Sequence, residues 1–150
     1  MSQYINANSV MPKGYAGQLS RDDAVVEQLV LSATEGAKLE YGQPVKFVNG
    51  EAVALTANAD VITHIIVREH LPRAFTASND FPVDGGVVGG MRRGYIVVPC
   101  DADAVIARGA AVKYDRTNKT FGTTGAVSVN ATFMSNETVK DGFVEIAFNI

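Results

Sequence analysis

The stretch that decides the fold is GFVEIAFNI, residues 142–150. Every second side chain belongs to the same face, and the more apolar face carries Val144, Ile146, Phe148 and Ile150. A period of two residues is typical of a β-strand with one buried face. We therefore expect a strand over 143–148.

Similar short runs occur throughout the chain, and Gly, Asn or Asp bound most of them. They are rich in β-branched and aromatic residues, and they cover 25–31, 61–67, 95–98 and 110–114. Such runs predict strands, and their regular spacing is typical of a small sandwich or barrel. The sequence thus predicts an all-β fold, a small β-sandwich or β-barrel body.

Helix competes with strand in two places. Ser20 and Asp23 resemble a capping box before the apolar run 24–31, but the β-branched residues of that run favour a strand. In 101–108, Asp101 could cap a single helical turn that Gly109 would end.

One segment of the sequence is repeated. GQPVKF at 42–47 resembles GAAVKY at 109–114, and each copy is followed by a turn, at Asn49-Gly50 and at Asn118-Lys119. Asn-Gly between apolar strands is a strong signal for a two-residue hairpin. The repeat predicts two similar hairpin units, which arose either by duplication or by chance.

The first twenty residues differ from the rest in composition. They are polar and rich in Gly, Asn and Ser, with apolar side chains at Tyr4, Ile5, Met11 and Tyr15. Such a segment builds no core of its own, so we expect an extended N-terminal arm that orders on a partner. This divides the chain into an arm, 1–20, and a single β-rich domain, 21–150.

A second unusual region is 70–94. It contains Pro72, Pro82, two glycine pairs and the adjacent cations Arg92 and Arg93. We expect one long loop here, and long loops in compact domains are commonly functional. The two arginines are candidates for contact with a partner's acidic surface.

Composition excludes several functional classes. Of 150 residues, 47% are hydrophobic and 19% are charged, which rules out wholesale disorder. The net charge of −3 argues against a nucleic-acid-binding protein. No apolar run approaches the ~18–20 residues of a membrane span, and the N-terminus lacks the layout of a signal peptide. We expect a protein made inside a cell, with no membrane partner.

The residues that could carry chemistry are isolated from one another. His64 and His70 are the two histidines, and their spacing fits no zinc motif. Cys100 has no neighbouring cation that would favour a thiolate. Asp101 and Asp103 lack the remaining ligands of a calcium loop. We therefore expect no catalytic residue, no metal site and no cofactor.

The order of motifs resembles the structural cement, or decoration, proteins of tailed-bacteriophage capsids. The resemblance extends over nearly the whole chain and depends on these segments: GYAGQ at 14–18, YGQPV at 41–45, IIVR at 65–68, GYIVV at 94–98, RGAAV at 108–112 and GFV at 142–144. The segment 70–93 departs from the family pattern.

This resemblance implies a non-enzymatic virion protein on the outer capsid surface, made in the host cytoplasm. Its implied partners are the major capsid protein and further copies of itself, with a homotrimer favoured over a dimer. The candidate contact residues are then Tyr4, Ile5, Met11, Tyr15, Arg92 and Arg93.

Two other classes remain open from the residues alone. One is a small β-rich ligand- or carbohydrate-binding module of a phage or bacterial surface structure, although a chain without tryptophan offers few aromatic platforms. The other is an enzyme accessory domain or a hydrolase, which the missing site residues oppose.

Overall fold

The computed structural model describes residues 14–32, 39–68 and 86–150. These residues form eleven strands and no helix. The strands are β1 (Val25–Val30), β2 (Pro44–Val48), β3 (Glu51–Ala54), β4 (His64–Ile66), β5 (Val87–Pro99), β6 (Val105–Ile106), β7 (Ala111–Asp115), β8 (Thr120–Gly122), β9 (Val127–Phe133), β10 (Glu137–Thr138) and β11 (Phe143–Phe148).

The all-β prediction is confirmed. β11 has the predicted bounds, and the side chains Val144, Ile146 and Phe148 of its predicted apolar face are buried, whereas Ile150, assigned to the same face, lies beyond the strand and is exposed. The run after Ser20 forms β1, a strand and not a helix. Within the described ranges no helix is long and apolar enough to cross a membrane.

β5 is the central strand of the sheet and is 13 residues long. Its first half pairs with β1 and β4, whereas its second half pairs with β11. The chain preceding β1 crosses β5 at Gly94, where an added Cβ would lie 2.9 Å from the Ala24 Cα. Gly94 has a φ of +143°, which L side chains rarely adopt. This glycine therefore permits the crossing.

β5 completes two rings of five strands. Unit 1 consists of β1, β2, β3, β4 and residues 87–93 of β5, and a parallel bridge from Leu31 to Ala52 closes it. Unit 2 consists of residues 94–99 of β5 with β7, β8, β9 and β11, and a parallel bridge from Cys100 to Phe121 closes it. The first to fifth strands are connected in the same order in both rings.

The two units also share their hydrogen bonds. The Gly42 N–H donates to the Ile66 carbonyl at 2.8 Å, and 67 residues later the Gly109 N–H donates to the Phe133 carbonyl at 2.8 Å. At the two closures the donors and acceptors are again equivalent: Ser32 N to Ala52 O, Asp101 N to Phe121 O, Leu31 N to Gly86 O, and Cys100 N to Gly142 O. The repeated segment thus belongs to two structurally equivalent units.

Burial follows the same equivalence. The core of unit 1 consists of Leu29, Leu31, Leu39, Val45, Ala52, Ile66 and Val88. The equivalent residues of unit 2 are all buried as well, and they are Val98, Cys100, Ile106, Val112, Phe121, Phe133 and Val144. Each unit therefore encloses the same ring of apolar positions, and unit 2 has phenylalanines where unit 1 has Ala52 and Ile66.

The two hairpins begin at equivalent glycines and differ in their turns. Asn49 and Gly50 both have positive φ, +53° and +83°, as a two-residue turn of the primed type requires. The second hairpin connects Asp115 to Thr120 through four residues, and the Asp115 carboxylate accepts the Thr117 N–H at 2.8 Å. The predicted hairpin at Asn49-Gly50 is confirmed.

The predicted end of the long loop at residue 94 is wrong. Residues 87–94 belong to β5, and Gly89 and Gly90 occupy strand positions within it. A Cβ on Gly90 would clash with the Leu29 Cδ1, so the absence of a side chain at Gly90 leaves room for Leu29 in the core of unit 1. The preceding part of the predicted loop, through residue 85, lies outside the described residues.

The helical turn expected over 101–108 is also wrong. A turn at 102–103 leads into β6, which pairs with β10. Asp103 has a φ of +61°, which no right-handed helix accommodates. Its N–H donates to the carbonyl of Val139, the residue that follows β10, at 2.9 Å, so the backbone here bonds to a distant segment of the chain.

The described part of the predicted arm lies along the second half of β5. The Val97 N–H donates to the Gln18 carbonyl, and the Val97 carbonyl accepts the Gly17 N–H, both at 2.9 Å. The Ser20 N–H donates to the Tyr95 carbonyl at 3.2 Å. Residues 17–20 therefore form an extended segment at the outer edge of unit 2.

Replacing Gly94 should destabilise the fold more than replacing an unconstrained glycine. We expect Gly94→Ala to lower the free energy of unfolding by about 2–5 kcal/mol, because it adds both a left-handed residue and a clash with Ala24. Gly50→Ala is the matched control, with a φ of +83° and open space around its Cβ, and should cost about 1–2 kcal/mol. Urea unfolding measures both free energies. An equal decrease for the two variants would contradict the claim that Gly94 is needed where the chain crosses β5.

Candidate functional site

The two units differ at one end of their rings. Two equivalent positions hold Ile96 and Ala131 in unit 2 and Glu27 and His64 in unit 1. The unit 2 residues are buried in its apolar core. Unit 1 therefore carries polar side chains where its counterpart is apolar, and Glu27, His64 and the adjoining Arg92 form what we call the polar cluster.

The polar cluster connects three strands. His64 on β4 is 3% exposed, and its Nε2 lies 2.9 Å from the Oε2 of Glu27 on β1. The other carboxylate oxygen, Oε1, lies 3.3 Å from the Nη1 of Arg92 on β5. Phe47 on β2 packs against the imidazole, with ring centroids 4.9 Å apart. One carboxylate thus joins a buried imidazole to an exposed guanidinium.

The electrostatics of the polar cluster favour an ionised Glu27. The hydrogen bond from His64, and then the charge of Arg92, hold the pKa of Glu27 below its ordinary value of 4.5. The bond to the carboxylate places a hydrogen on His64 Nε2. The other ring nitrogen, Nδ1, is buried without a hydrogen-bond partner. Loss of Glu27 would therefore leave a buried imidazole with no partner at either nitrogen.

This arrangement positions strands and lacks the parts of a catalytic site. The Glu27 carboxylate already contacts two basic groups, so it is a poor general base. Cys100 is buried in the apolar core of unit 2, away from the cluster. Across the described ranges, no three His, Cys, Asp or Glu side chains are arranged to hold a metal ion.

The two aspartates singled out from the sequence have structural partners. Asp101 accepts a hydrogen bond from the Thr120 hydroxyl at the closure of unit 2. Asp103 pairs with Lys140 at 2.8 Å on the surface. Their side chains thus support the turn between β5 and β6. His70 lies outside the described residues.

The predicted contact residues fall into three groups. Tyr4, Ile5 and Met11 lie outside the described residues. Tyr15 packs on the body, since the guanidinium of Arg68 lies over its ring at 5.2 Å from the centroid.

Arg92 and Arg93 are adjacent in β5 at a shift of the β1–β5 register, which places Met91 opposite Val26 and Arg93 opposite Val25, so the regular alternation of side chains does not hold there. Both are exposed, and Arg92 contacts Glu27. The Arg92 guanidinium is therefore already engaged by a carboxylate of the body.

The outer face of unit 1 carries exposed apolar side chains. Val26, Val30 and Val87 are 42%, 47% and 64% exposed, and Val30 lies directly opposite Val87 in the β1–β5 ladder. Together with Gln28, which lies between the two β1 valines, we call this surface the β1 face. It is an uncharged surface next to the polar cluster.

The chain is similar to a known protein family. A family model described as structural cement protein (E217 gp24/Pam3 gp6) matches residues 2–149. No curated protein matches the chain.

The polar cluster predicts a pH-dependent contribution to stability. A depressed carboxyl pKa stabilises the fold above the unfolded-state value near 4.5, and this contribution is lost as the pH falls through the folded-state pKa. We expect Glu27→Gln to lower the melting temperature at pH 7. The difference in melting temperature between this variant and the wild type should become smaller below pH 4.5.

Calorimetric melting between pH 7 and pH 3 measures this gap. Glu51→Gln is the matched control, because Glu51 is an exposed glutamate at the start of β3. Its gap from wild type should stay small at every pH. A Glu27→Gln gap that does not change with pH would contradict the role of the ionised carboxylate.

Proposed function

The chain belongs to the structural cement protein family of phages, and we propose that it binds the outer surface of a phage capsid and stabilises contacts between major capsid protein subunits. The observation that carries this proposal is the family match, which spans residues 2–149. The corresponding site of action is the virion, after synthesis in the host cytoplasm.

The physical basis of such a function is preferential binding. A protein that binds the assembled capsid and not its free subunits stabilises the assembly by mass action. No bond needs to be made or broken, which agrees with a polar cluster that joins strands and lacks a nucleophile. Many identical copies around one shell multiply a modest contact into firm attachment.

We propose that the capsid contacts include the N-terminal arm and Arg93. The arm contributes Tyr4, Ile5 and Met11, and burying one such apolar side chain is worth roughly 1.5–3 kcal/mol. Arg93 is exposed and suits an acidic patch on a partner. Tyr15 and Arg92 extend the same proposal, although each also contacts the body.

A small-ligand or carbohydrate-binding role has less support in the described residues. A shallow depression beside β4 is lined by Asn58, Ala59, Asp60, Val61, Ile62, Ser128 and Asn130. It contains no aromatic side chain on which a sugar ring could stack. A carbohydrate-binding module is therefore the weaker of the two candidate functions.

Deleting residues 1–13 should weaken capsid attachment without unfolding the body. Residues 17–20 keep their bonds to β5 in this variant, so we expect a melting curve close to that of the full chain. Loss of one or more apolar anchors should weaken co-sedimentation with undecorated capsids by about tenfold or more. Unchanged attachment would contradict the role of the arm, and a collapsed melting curve would show that 1–13 belong to the fold.

We also propose a homotrimer, with a dimer as the alternative, because closed symmetric assemblies match the symmetry axes of a capsid. Light scattering of the purified chain measures the mass directly. A mass of three chains is expected, and a mass of two chains would favour the dimer. A monomer at the highest accessible concentration would contradict both.

A further inference from the structure

The outer edge of β1 presents backbone groups that are not used within the fold. Gln28 lies opposite Gly89, whose carbonyl accepts the Val67 N–H at 2.8 Å on the far edge of β5. Gln28 and Gly89 therefore do not bond to each other, and the Gln28 N–H and carbonyl point away from β5. In the described part of the chain, no backbone group pairs with them.

The equivalent edge of unit 2 is occupied. Val97 takes the place of Gln28 there, because it lies opposite Glu145, whose carbonyl accepts the Met134 N–H at 3.2 Å. The Val97 N–H and carbonyl bond to the extended segment 17–20, which runs antiparallel to β5. Unit 2 thus shows that this edge of the ring accepts an added strand.

The sequence of β1 gives its edge little protection, because Glu27 is its one charged residue. VVEQLV contains no proline, lysine or arginine, which are among the residues with which natural edge strands block further pairing. Two of the exposed valines of the β1 face, Val26 and Val30, lie on this strand. An added strand would cover these side chains and satisfy the free backbone groups together.

We propose that the β1 edge binds an extended segment of the major capsid protein as an added antiparallel strand. This inference rests on the proposed function. The segment would form backbone hydrogen bonds with both groups of Gln28 and with the Val26 carbonyl, as residues 17–20 do with Val97 and Tyr95. It would also place a small or apolar side chain beside Val26.

A second copy of β1 fits this edge less well. The free backbone groups belong to Val26 and Gln28, so the two-fold axis of a self-paired ladder would pass through Glu27. Two Glu27 carboxylates would then lie directly opposite each other, and like charges in that position are destabilising. The charge pattern of β1 therefore favours a different polypeptide as its partner.

The test uses two variants of the full chain and a matched control for each. Gln28→Pro removes the outward N–H that β5 does not use, and an edge strand tolerates proline at such a position. Gln28→Thr keeps the N–H and controls for the side chain. Val26→Lys adds a charge to the β1 face, and Val61→Lys adds the same charge at a valine that is 77% exposed elsewhere.

All four variants and the wild type are assayed by co-sedimentation with undecorated capsids, by light scattering and by melting. We expect Gln28→Pro and Val26→Lys to bind about tenfold more weakly or worse, with both controls binding as wild type. If Gln28→Pro has a lowered melting temperature, Val26→Lys still tests the binding site independently.

Each alternative outcome has a distinct meaning. Equal binding by every variant would overturn the strand-addition site and leave the proposed function standing. Failure of the wild type to bind capsids would instead overturn the proposed function. A change of oligomeric mass in Gln28→Pro and Val26→Lys would show that the edge joins copies of this chain, which overturns the capsid protein as its occupant.

Discussion

The fold depends on β5, one strand that is the last strand of one ring and the first strand of the next. Its 13 residues form ladders with β1, β4 and β11, so neither ring is complete without it. Residues 87–93 serve unit 1 and residues 94–99 serve unit 2. The rings therefore share a backbone, and buried side chains of unit 1 such as Ile65 and Met91 also pack in one apolar cluster with the core of unit 2.

The equivalence of the units makes their differences informative. Unit 2 has a closed apolar core with large side chains such as Phe121 and Phe133, and its outer edge is covered by residues 17–20. Unit 1 has Ala52 and Ile66 in place of those phenylalanines, the polar cluster of Glu27, His64 and Arg92, and an edge on β1 that no described residue covers. The two copies of the ring thus differ in their core side chains and in how their outer edges are covered among the described residues.

Much of this architecture could be predicted from the sequence, where local pattern decides structure. The alternation at 143–148 located β11, and the repeated Gly42 and Gly109 segments marked the entry to equivalent hairpins. The glycines at 89–90 led to the wrong prediction of a loop because the role of Gly90, which makes room for Leu29 in the core, depends on a strand distant in sequence. The Glu27–His64 pair spans 37 residues and has no motif, so only the strand register reveals it.

The central claim is that this chain acts as a capsid cement protein, and its most direct test is the thermal stability of the capsid itself. Undecorated capsids are melted calorimetrically with and without saturating amounts of the purified chain. A ligand that binds only the assembled shell must raise its disruption temperature, and the rise must grow with the concentration of free chain. We predict such a concentration-dependent increase, whereas an unchanged disruption temperature at saturation would contradict the account.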